Sequence, residues 1–273
     1  MNETVSVVIP YSPIYTKKHM LERAIKSVNK QKMETEIILV SHEEIDISLK
    51  NGQKIKQESS NGPGSARNLG IRSANGRYIG FLDADDVWKE GKLERQIKKL
   101  NANQVGLCLE GKNTTQKEFI RSVVRGDVTS VTSSILIDVK NVSTLFNEDL
   151  PRYEDHLFLI EATIEAGVCL CPNLIEAQKH DSGLSSNTTK QVVDQIMETL
   201  DQLKKSKQRS KYMNIFIKWR YYMCGVHYRK LGFYGKAIES QLRSISIHPM
   251  TSNIRALLSL PFYWIISKIW TSR

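Results

Sequence analysis

Long apolar runs, paired cysteines and recognisable nucleic-acid motifs are missing from this 273-residue chain, and each absence narrows what it can be. A membrane-spanning helix needs about 20 consecutive apolar residues, and no uninterrupted apolar stretch here is that long. The start, MNETVSVVIPYS, has no basic segment followed by a long apolar one, so no signal peptide is expected. Cysteine occurs at only four widely spread positions, Cys108, Cys169, Cys171 and Cys224. A C-x-C on a strand-like segment is a poor zinc half-site, so the expectation is four reduced, mostly buried thiols in a cytoplasmic protein. The N-x-S/T matches at Asn2, Asn113, Asn141 and Asn187 are then chance. No segment of about 20–50 residues recurs three times, which excludes a solenoid. What remains is a globular chain, 40% hydrophobic and 25% charged, long enough for one large domain or a medium domain with an appendage.

Charge is unevenly placed. Residues 190–273 hold 15 Lys and Arg against 4 Asp and Glu, whereas residues 1–189 hold 24 against 25. The net +10 therefore lies in the tail, behind a near-neutral module.

Residues 1–110 alternate strand-like and amphipathic helix-like runs, the pattern of an α/β layer with a mostly parallel sheet. Strands are expected at Val5–Ile9, Glu36–Val40, around Ile55, at Tyr78–Leu82 and at Val105–Leu109. Helices are expected at Lys17–Lys30, Gly64–Ala74 and Lys89–Leu100. Beyond them, Val128–Val139 reads as one or two strands, Glu154–Ala166 as a helix and Val168–Ile175 as a strand leading into the polar loop KHDSGLSSN. Residues 189–246 read as helical.

The chemistry-bearing residues fall where strands end. YIGFLDADDVW places Asp83, Asp85 and Asp86 directly after a buried run. Carboxylates packed this closely raise one another's pKa unless a cation or a set of donors compensates. On an extended chain Asp83 and Asp85 share a face while Asp86 points away, and two oxygens on one side suit a hard divalent ion that also takes phosphate oxygens. The plainer alternative is a cap for the helix from Lys89. NGPGSARNLGI puts small residues before a helix start, where backbone N–H groups favour anions, and Arg67 adds a fixed positive charge; the plainer alternative is a turn and an Arg on a solvated face.

Taken together, VSVVIPYS, NGPGSARNLGI, FLDADDVW with its KLERQ run, and RYEDHLF resemble, in order and spacing, the nucleotide-sugar glycosyltransferases of family 2, over about residues 4–187. The resemblance implies a GT-A fold: a mixed, mostly parallel sheet flanked by helices, here with a C-terminal helical appendage. It implies transfer of a sugar from a nucleoside diphosphate sugar, UDP-linked by preference, to a hydroxyl of a glycan or lipid-linked acceptor, with inversion and with Mg2+ or Mn2+. By the same resemblance Asp85 would bind the metal and Asp83 the nucleotide or ribose. Pro10, Tyr11, Ser41, Arg67, Glu154 and His180 would line the nucleotide-sugar site, and Asp155 would be the catalytic base. The sequence departs from the family where Ser41 and His42 follow the second strand in place of an acidic residue, with Glu43 or Glu44 close by as substitutes. Gly91 also stands where many relatives have Pro.

The chemistry asks for these parts without the family name. Charge builds on a diphosphate leaving group, and a metal lowers that barrier as a Lewis acid. A hydroxyl is a poor nucleophile, so a carboxylate on the opposite side must take its proton. A sugar nucleotidyltransferase would favour a Gly-rich, Lys/Arg-bearing loop after strand one, where this chain has Tyr11–Tyr15. A non-catalytic scaffold that binds partners through its tail is the reading from another class.

The domain organisation expected is residues 1–188 as the α/β module, 189–249 as a helical extension and 250–273 as an amphipathic segment. Tyr212–Leu231 and Tyr234–Ser246 read as a helical hairpin joined at Gly232 and stopped at Pro249. The last segment, with Trp264 and Trp270, reads as interfacial, which would make the protein peripheral on the inner face of a membrane. No nucleic-acid partner is expected.

Overall fold

The computed structural model describes residues 4–57, 62–128, 132–150, 152–176, 189–205 and 211–247. The chain divides into two compact units, residues 1–184 and 185–273.

The first unit begins with β1 (Val5–Pro10), α1 (Lys18–Asn29), β2 (Thr35–Ser41), β3 (Gly52–Lys56), α2 (Gly62–Ser73) and β4 (Tyr78–Phe81). It continues through β5 (Val87–Trp88), α3 (Lys92–Asn103), β6 (Leu107–Glu110), α4 (Gln116–Arg125), a 3-10 turn at Thr132–Ser134, β7 (Leu136–Asp138), α5 (Glu154–Ala166), β8 (Val168–Cys171) and β9 (Ile175–Glu176). Seven strands form one sheet in the order β3-β2-β1-β4-β7-β6-β8. Only β7 runs antiparallel, pairing with both β4 and β6. β5 and β9 form a separate two-stranded sheet.

The central strands are buried on both faces, which is why VSVVI and YIGF are continuous apolar runs and not alternating ones. α1 packs Leu21, Ala24, Ile25 and Val28 inward and leaves its charged residues outside. Two glycines set close approaches. At Gly70 an added Cβ would meet Val8 Cγ1 at 2.3 Å, so α2 lies directly on β1. At Gly80 a Cβ would meet Trp88 Cη2 at 2.8 Å, so β4 admits the indole across its face.

Several expectations change. The strand expected at Val168–Ile175 is two strands, broken where Asn173 takes φ +61°. The helix expected from Lys89 begins at Lys92, because Val87 and Trp88 pair with β9 and Gly91 sits at φ +70°. That angle is closed to Pro. Val128–Val139 contains a single short strand among the described residues. The sequence reading missed α4, although Thr115 and Glu118 form a reciprocal capping box there. All four cysteines are free and buried, as expected.

The second unit is α6 (Lys190–Lys205), α7 (Lys211–Lys230) and α8 (Tyr234–Ile247), with Gly232 at φ +81° between the last two. Two polar layers seven residues apart fix its register. Asp194 accepts from Tyr228 Oη at 2.5 Å and pairs with Lys190 and Lys236 at 2.6 Å. One heptad on, Asp201 accepts from Tyr221 Oη at 2.5 Å and pairs with Arg243. No helix among the described residues is long and apolar enough to cross a membrane. The interfacial segment expected at residues 250–273 lies outside the described residues.

Candidate active site

The carboxyl ends of β1, β2 and β4 lie side by side in this parallel sheet, and open α/β sheets bind ligands at that edge. Pro10 ends β1 and Tyr11 follows it, its N–H donating to the Val40 carbonyl at 2.8 Å. Ser41 ends β2 and is buried, its Oγ accepting from the Glu43 N–H at 3.1 Å. Burial, then the Glu43 carboxylate, push the Tyr11 phenol up. Glu43, two residues past the end of β2 and 3.5 Å from His42 Nε2, thus puts a carboxylate in the neighbourhood where the expected acidic residue is missing.

Asp83 follows β4, but the chain there does not stay extended. Ala84 and Asp85 form a turn, closed by the Asp86 N–H donating to the Asp83 carbonyl at 3.0 Å. The shared-face argument for Asp83 and Asp85 rested on an extended chain and does not apply; the Asp83 carboxylate turns to Arg67 and that of Asp86 to Ser133. Nor do they cap a helix, since β5 separates them from α3. The turn is tied down by Ser133, which is 1% exposed. Its Oγ accepts from the Asp83 N–H at 3.0 Å and donates to Asp86 Oδ2 at 2.6 Å, while its carbonyl accepts from Trp88 Nε1 at 2.7 Å.

Arg67 is the centre of the arrangement. It is not on a solvated face: the residue is 4% exposed, inside α2. Nη1 donates to Glu154 Oε1 at 2.8 Å and Nη2 to Asp83 Oδ1 at 2.9 Å, and the guanidinium lies 5.3 Å from the Phe146 ring centroid. One side chain thus joins the end of β4 to the start of α5. Phe146 stacks on Phe158 at 4.1 Å and meets Phe81 edge-on, giving the guanidinium a rigid apolar floor. Asn68, next along α2, holds the segment before α5: it accepts from the Phe146 N–H at 2.8 Å and donates to the Phe146 carbonyl and to Glu148.

α5 begins abruptly. Tyr153 precedes it at φ +67°, a left-handed conformation uncommon for a bulky residue. Glu154 and Asp155 follow in the first turn, where the helix dipole favours carboxylates. Glu154 is buried against Arg67, and Asp155, half-buried, accepts from the His156 N–H at 2.8 Å. Burial, then Asp155, raise the Glu154 carboxyl to about 7 against the pull of Arg67. Burial draws the Arg67 guanidinium down, but Asp83, Glu154 and Asp155 outweigh it and keep it charged. Both groups are therefore shifted upward: the guanidinium is held charged, while burial and the neighbouring Asp155 leave the Glu154 carboxylate undercompensated.

The structure therefore brings Arg67, Asp83 and Glu154 into direct contact, with Asp155 and Asp85 flanking them and Pro10, Tyr11 and Ser41 along the same strand ends. His180 lies outside the described residues. Sequence reasoning missed Ser133, Asn68, Phe146 and Glu148. Their roles depend on contacts across 50 to 80 positions of chain, and no local pattern marks them.

No three His, Cys, Asp or Glu side chains among the described residues are grouped so as to hold a metal by themselves. The donor set fits instead an ion bound by one carboxylate together with phosphate oxygens and water, which is how Mg2+ is commonly held. Asp85 lies half-buried in the turn after β4.

A seven-stranded, mostly parallel sheet with one antiparallel strand, and acidic residues at its carboxyl edge, defines the GT-A class of transferase fold. Solved structures bear this out. TarS of S. aureus, in complex with UDP-GlcNAc, superposes with a TM-score of 0.62 at 18% identity over 90% of this chain and 82% of that one. The mannosyltransferase PcManGT of Pyrobaculum calidifontis, in complex with GDP-Man and Mn2+, does so with a TM-score of 0.57 at 13% identity over 98% and 83%. Residues 6–133 match the model of Glycosyl transferase family 2, and the chain carries a domain of that family. A glycosyltransferase of Rickettsia bellii is 39% identical over 108 residues, 36% of this chain and 15% of that one. The UDP-Glc:alpha-D-GlcNAc-diphosphoundecaprenol beta-1,3-glucosyltransferase WfgD of Escherichia coli is 31% identical over 110 residues, 37% of this chain and 42% of that one. The chain thus spans less than half the length of these two curated relatives.

Proposed function

We propose that this protein is an inverting glycosyltransferase that moves a sugar from a nucleoside diphosphate sugar to a hydroxyl of a glycan or lipid-linked acceptor. The observation that carries the reading is the buried Arg67 bridge, which fixes the Asp83–Asp86 turn and the Glu154–Asp155 helix start on either side of one strand-end site. A UDP-linked donor is favoured, since TarS binds UDP-GlcNAc and WfgD is named for UDP-Glc.

In this reading Tyr11, Ser41 and Asp83 bind the nucleoside end of the donor. Asp85 holds the Mg2+ or Mn2+, which supplies Lewis-acid neutralisation of the diphosphate when bound. Asp155 takes the proton of the acceptor hydroxyl as its oxygen bonds to the anomeric carbon. The carbon–oxygen bond to the diphosphate breaks in the same event, and the nucleoside diphosphate leaves. Because attack is in line, the base must stand across the anomeric carbon from the diphosphate, and α5 is a different segment from the turn that holds Asp85. Glu154, spent on Arg67, positions that segment. An acceptor anchored in lipid would place the protein on the inner face of the membrane.

The test is thermal unfolding with UDP, dTDP, GDP and CMP, each with and without Mn2+. A ligand at 100 times its Kd adds about 2.7 kcal/mol. One diphosphate should give a metal-dependent shift that Asp85→Asn abolishes, and Asp155→Asn should keep the shift while losing transfer. No shift with any nucleotide would make the non-catalytic scaffold the better reading.

A further inference from the structure

The first unit carries a second feature, remote in purpose from the strand-end site. Residues 17–32 contain Lys17, Lys18, Arg23, Lys26, Lys30 and Lys32 against Glu22 alone, in a module that is otherwise net acidic. All six cations are exposed on or beside α1, whose inner face is fully used by Leu21, Ala24, Ile25 and Val28. Lys26, Lys30 and Lys89 also rim a hollow of about 370 Å³ between α1 and β5, where Glu90 and Glu176 are the only acids.

The start of this helix breaks two rules of solvent-facing structure at once. Helix N-termini favour carboxylates, yet α1 opens with Lys17, Lys18 and His19, has no acid in its first turn, and makes no side-chain cap bond. Immediately before it, Ile14 is 70% exposed and Tyr15 53%, beside one another on a loop. That loop is a built turn. The Ser12 carbonyl accepts from the N–H groups of Tyr15 and Thr16 at 3.1 and 3.0 Å, which fixes the tip with its apolar side chains outward. Two ion pairs on this face, Lys18 with Asp46 at 3.6 Å and Lys30 with Glu90 at 3.9 Å, are largely solvated and offset little of the lysines' charge.

An apolar tip ringed by cations is unfavourable in water and favourable at one kind of surface, an anionic bilayer. Aliphatic and aromatic side chains there enter the headgroup boundary, and Lys and Arg meet the lipid phosphates. We propose that the Ile14–Tyr15 tip and the cationic face of α1 form a docking surface for anionic lipid membrane. A soluble polyanion would satisfy the lysines but gives no use for Ile14 and Tyr15, so the bilayer is the occupant the observations favour. The loop leaves the carboxyl end of β1, so docking by this face would hold the strand-end site close to the lipid surface. The proposal is independent of donor chemistry, since vesicle binding requires no sugar nucleotide.

The experiment is sedimentation of the full chain with phosphatidylglycerol vesicles and with phosphatidylcholine vesicles. It compares wild type, Lys17→Gln/Lys18→Gln and Ile14→Ser/Tyr15→Ser. Each cation near an anionic surface contributes about 1 kcal/mol, so the double lysine variant should lose about 30-fold in partitioning to anionic vesicles. That factor multiplies whatever other segments contribute. The tip variant should also bind anionic vesicles more weakly, and neither should fall in melting temperature, because all four side chains are exposed. The lysine variant should melt slightly higher, its helix dipole being relieved. Unchanged partitioning of the lysine variant would overturn the proposal, as would failure of the wild type to bind anionic vesicles. So would a tip variant that binds normally while inorganic polyphosphate displaces the protein, which would make the face a polyanion site.

Discussion

Replacing Arg67 by Met keeps much of its volume over Phe146 and removes its charge, which isolates what the buried ion pairs contribute. In the wild type the guanidinium holds Glu154 at 2.8 Å and Asp83 at 2.9 Å. Removing one partner of a buried pair leaves an uncompensated charge and costs about 3–5 kcal/mol, or roughly 6–20 °C of melting temperature for a unit of this size. The loss should depend on pH. Glu154 has its folded pKa raised above the usual carboxylate value, so the fold loses stability as pH rises through the gap between the two. In the wild type that loss is complete near pH 7, where the carboxyl titrates. Without Arg67 the folded pKa climbs further, and above pH 7 the variant alone keeps losing about 1.4 kcal/mol per unit until Glu154 ionises. Calorimetry at pH 6 and pH 8 should therefore find Arg67→Met closer to wild type at the lower pH. Arg67→Met/Glu154→Gln should recover part of the deficit at pH 8. An equal deficit at both pH values, or no recovery in the double variant, would refute the picture of an undercompensated Glu154.

Three further outcomes are expected. Ser133→Ala leaves the buried Asp83 N–H without an acceptor, at about 1–3 kcal/mol; calorimetric titration should also show weakened Mn2+-dependent nucleoside diphosphate binding, restored in Ser133→Thr, which keeps the hydroxyl. Lys92 is fully buried over the Trp88 ring and its ammonium is lowered by burial to about 7. A lysine so lowered penalises the fold fully below pH 7 and less as pH rises toward its unfolded value, so Lys92→Met should raise the melting temperature more at pH 6 than at pH 9. In the second unit, Lys190, Lys236 and Tyr228 hold the Asp194 carboxyl far below its usual range despite partial burial. Asp194→Asn should therefore destabilise the helical unit at pH 7, with the difference from wild type vanishing as acid protonates Asp194, as circular dichroism melts would show.

The strands and the long helices were legible because burial imposes a period on short windows of sequence. VSVVIP can only be a strand buried on both faces, and LERAIKSV can only turn one side of a helix inward. The same logic placed Pro10, Tyr11, Ser41 and Asp83 at strand ends. It failed where structure depends on a partner far away. β5 and β9 have two residues each, and each exists only because the other does. The DADD segment bends because Ser133, about 50 positions on, binds both of its ends, and nothing in the segment itself announces a turn. Arg67 was legible as a site cation but not as a buried bridge, since its burial depends on carboxylates 16 and 87 positions distant. α4 is the different case: its T-x-x-E box was visible and went unread.

The need for a cation, inferred first from three crowded aspartates, becomes more specific once the site is assembled. Three carboxylates, Asp83, Glu154 and Asp155, act on one guanidinium, and Arg67 already donates hydrogen bonds to Asp83 and Glu154. A diphosphate brought to the same corner adds further negative charge, so binding it there would be repulsive with Arg67 as the sole compensation. Protonating Glu154 relieves a single charge, on the side of Arg67 away from the Asp83–Asp86 turn. The remaining excess lies at the turn that carries Asp83, Asp85 and Asp86. Under the proposed function, a divalent ion bound together with the diphosphate would offset charge on both the donor and the turn. On this reasoning donor and metal should bind with mutual dependence, each raising the affinity of the other by the same factor.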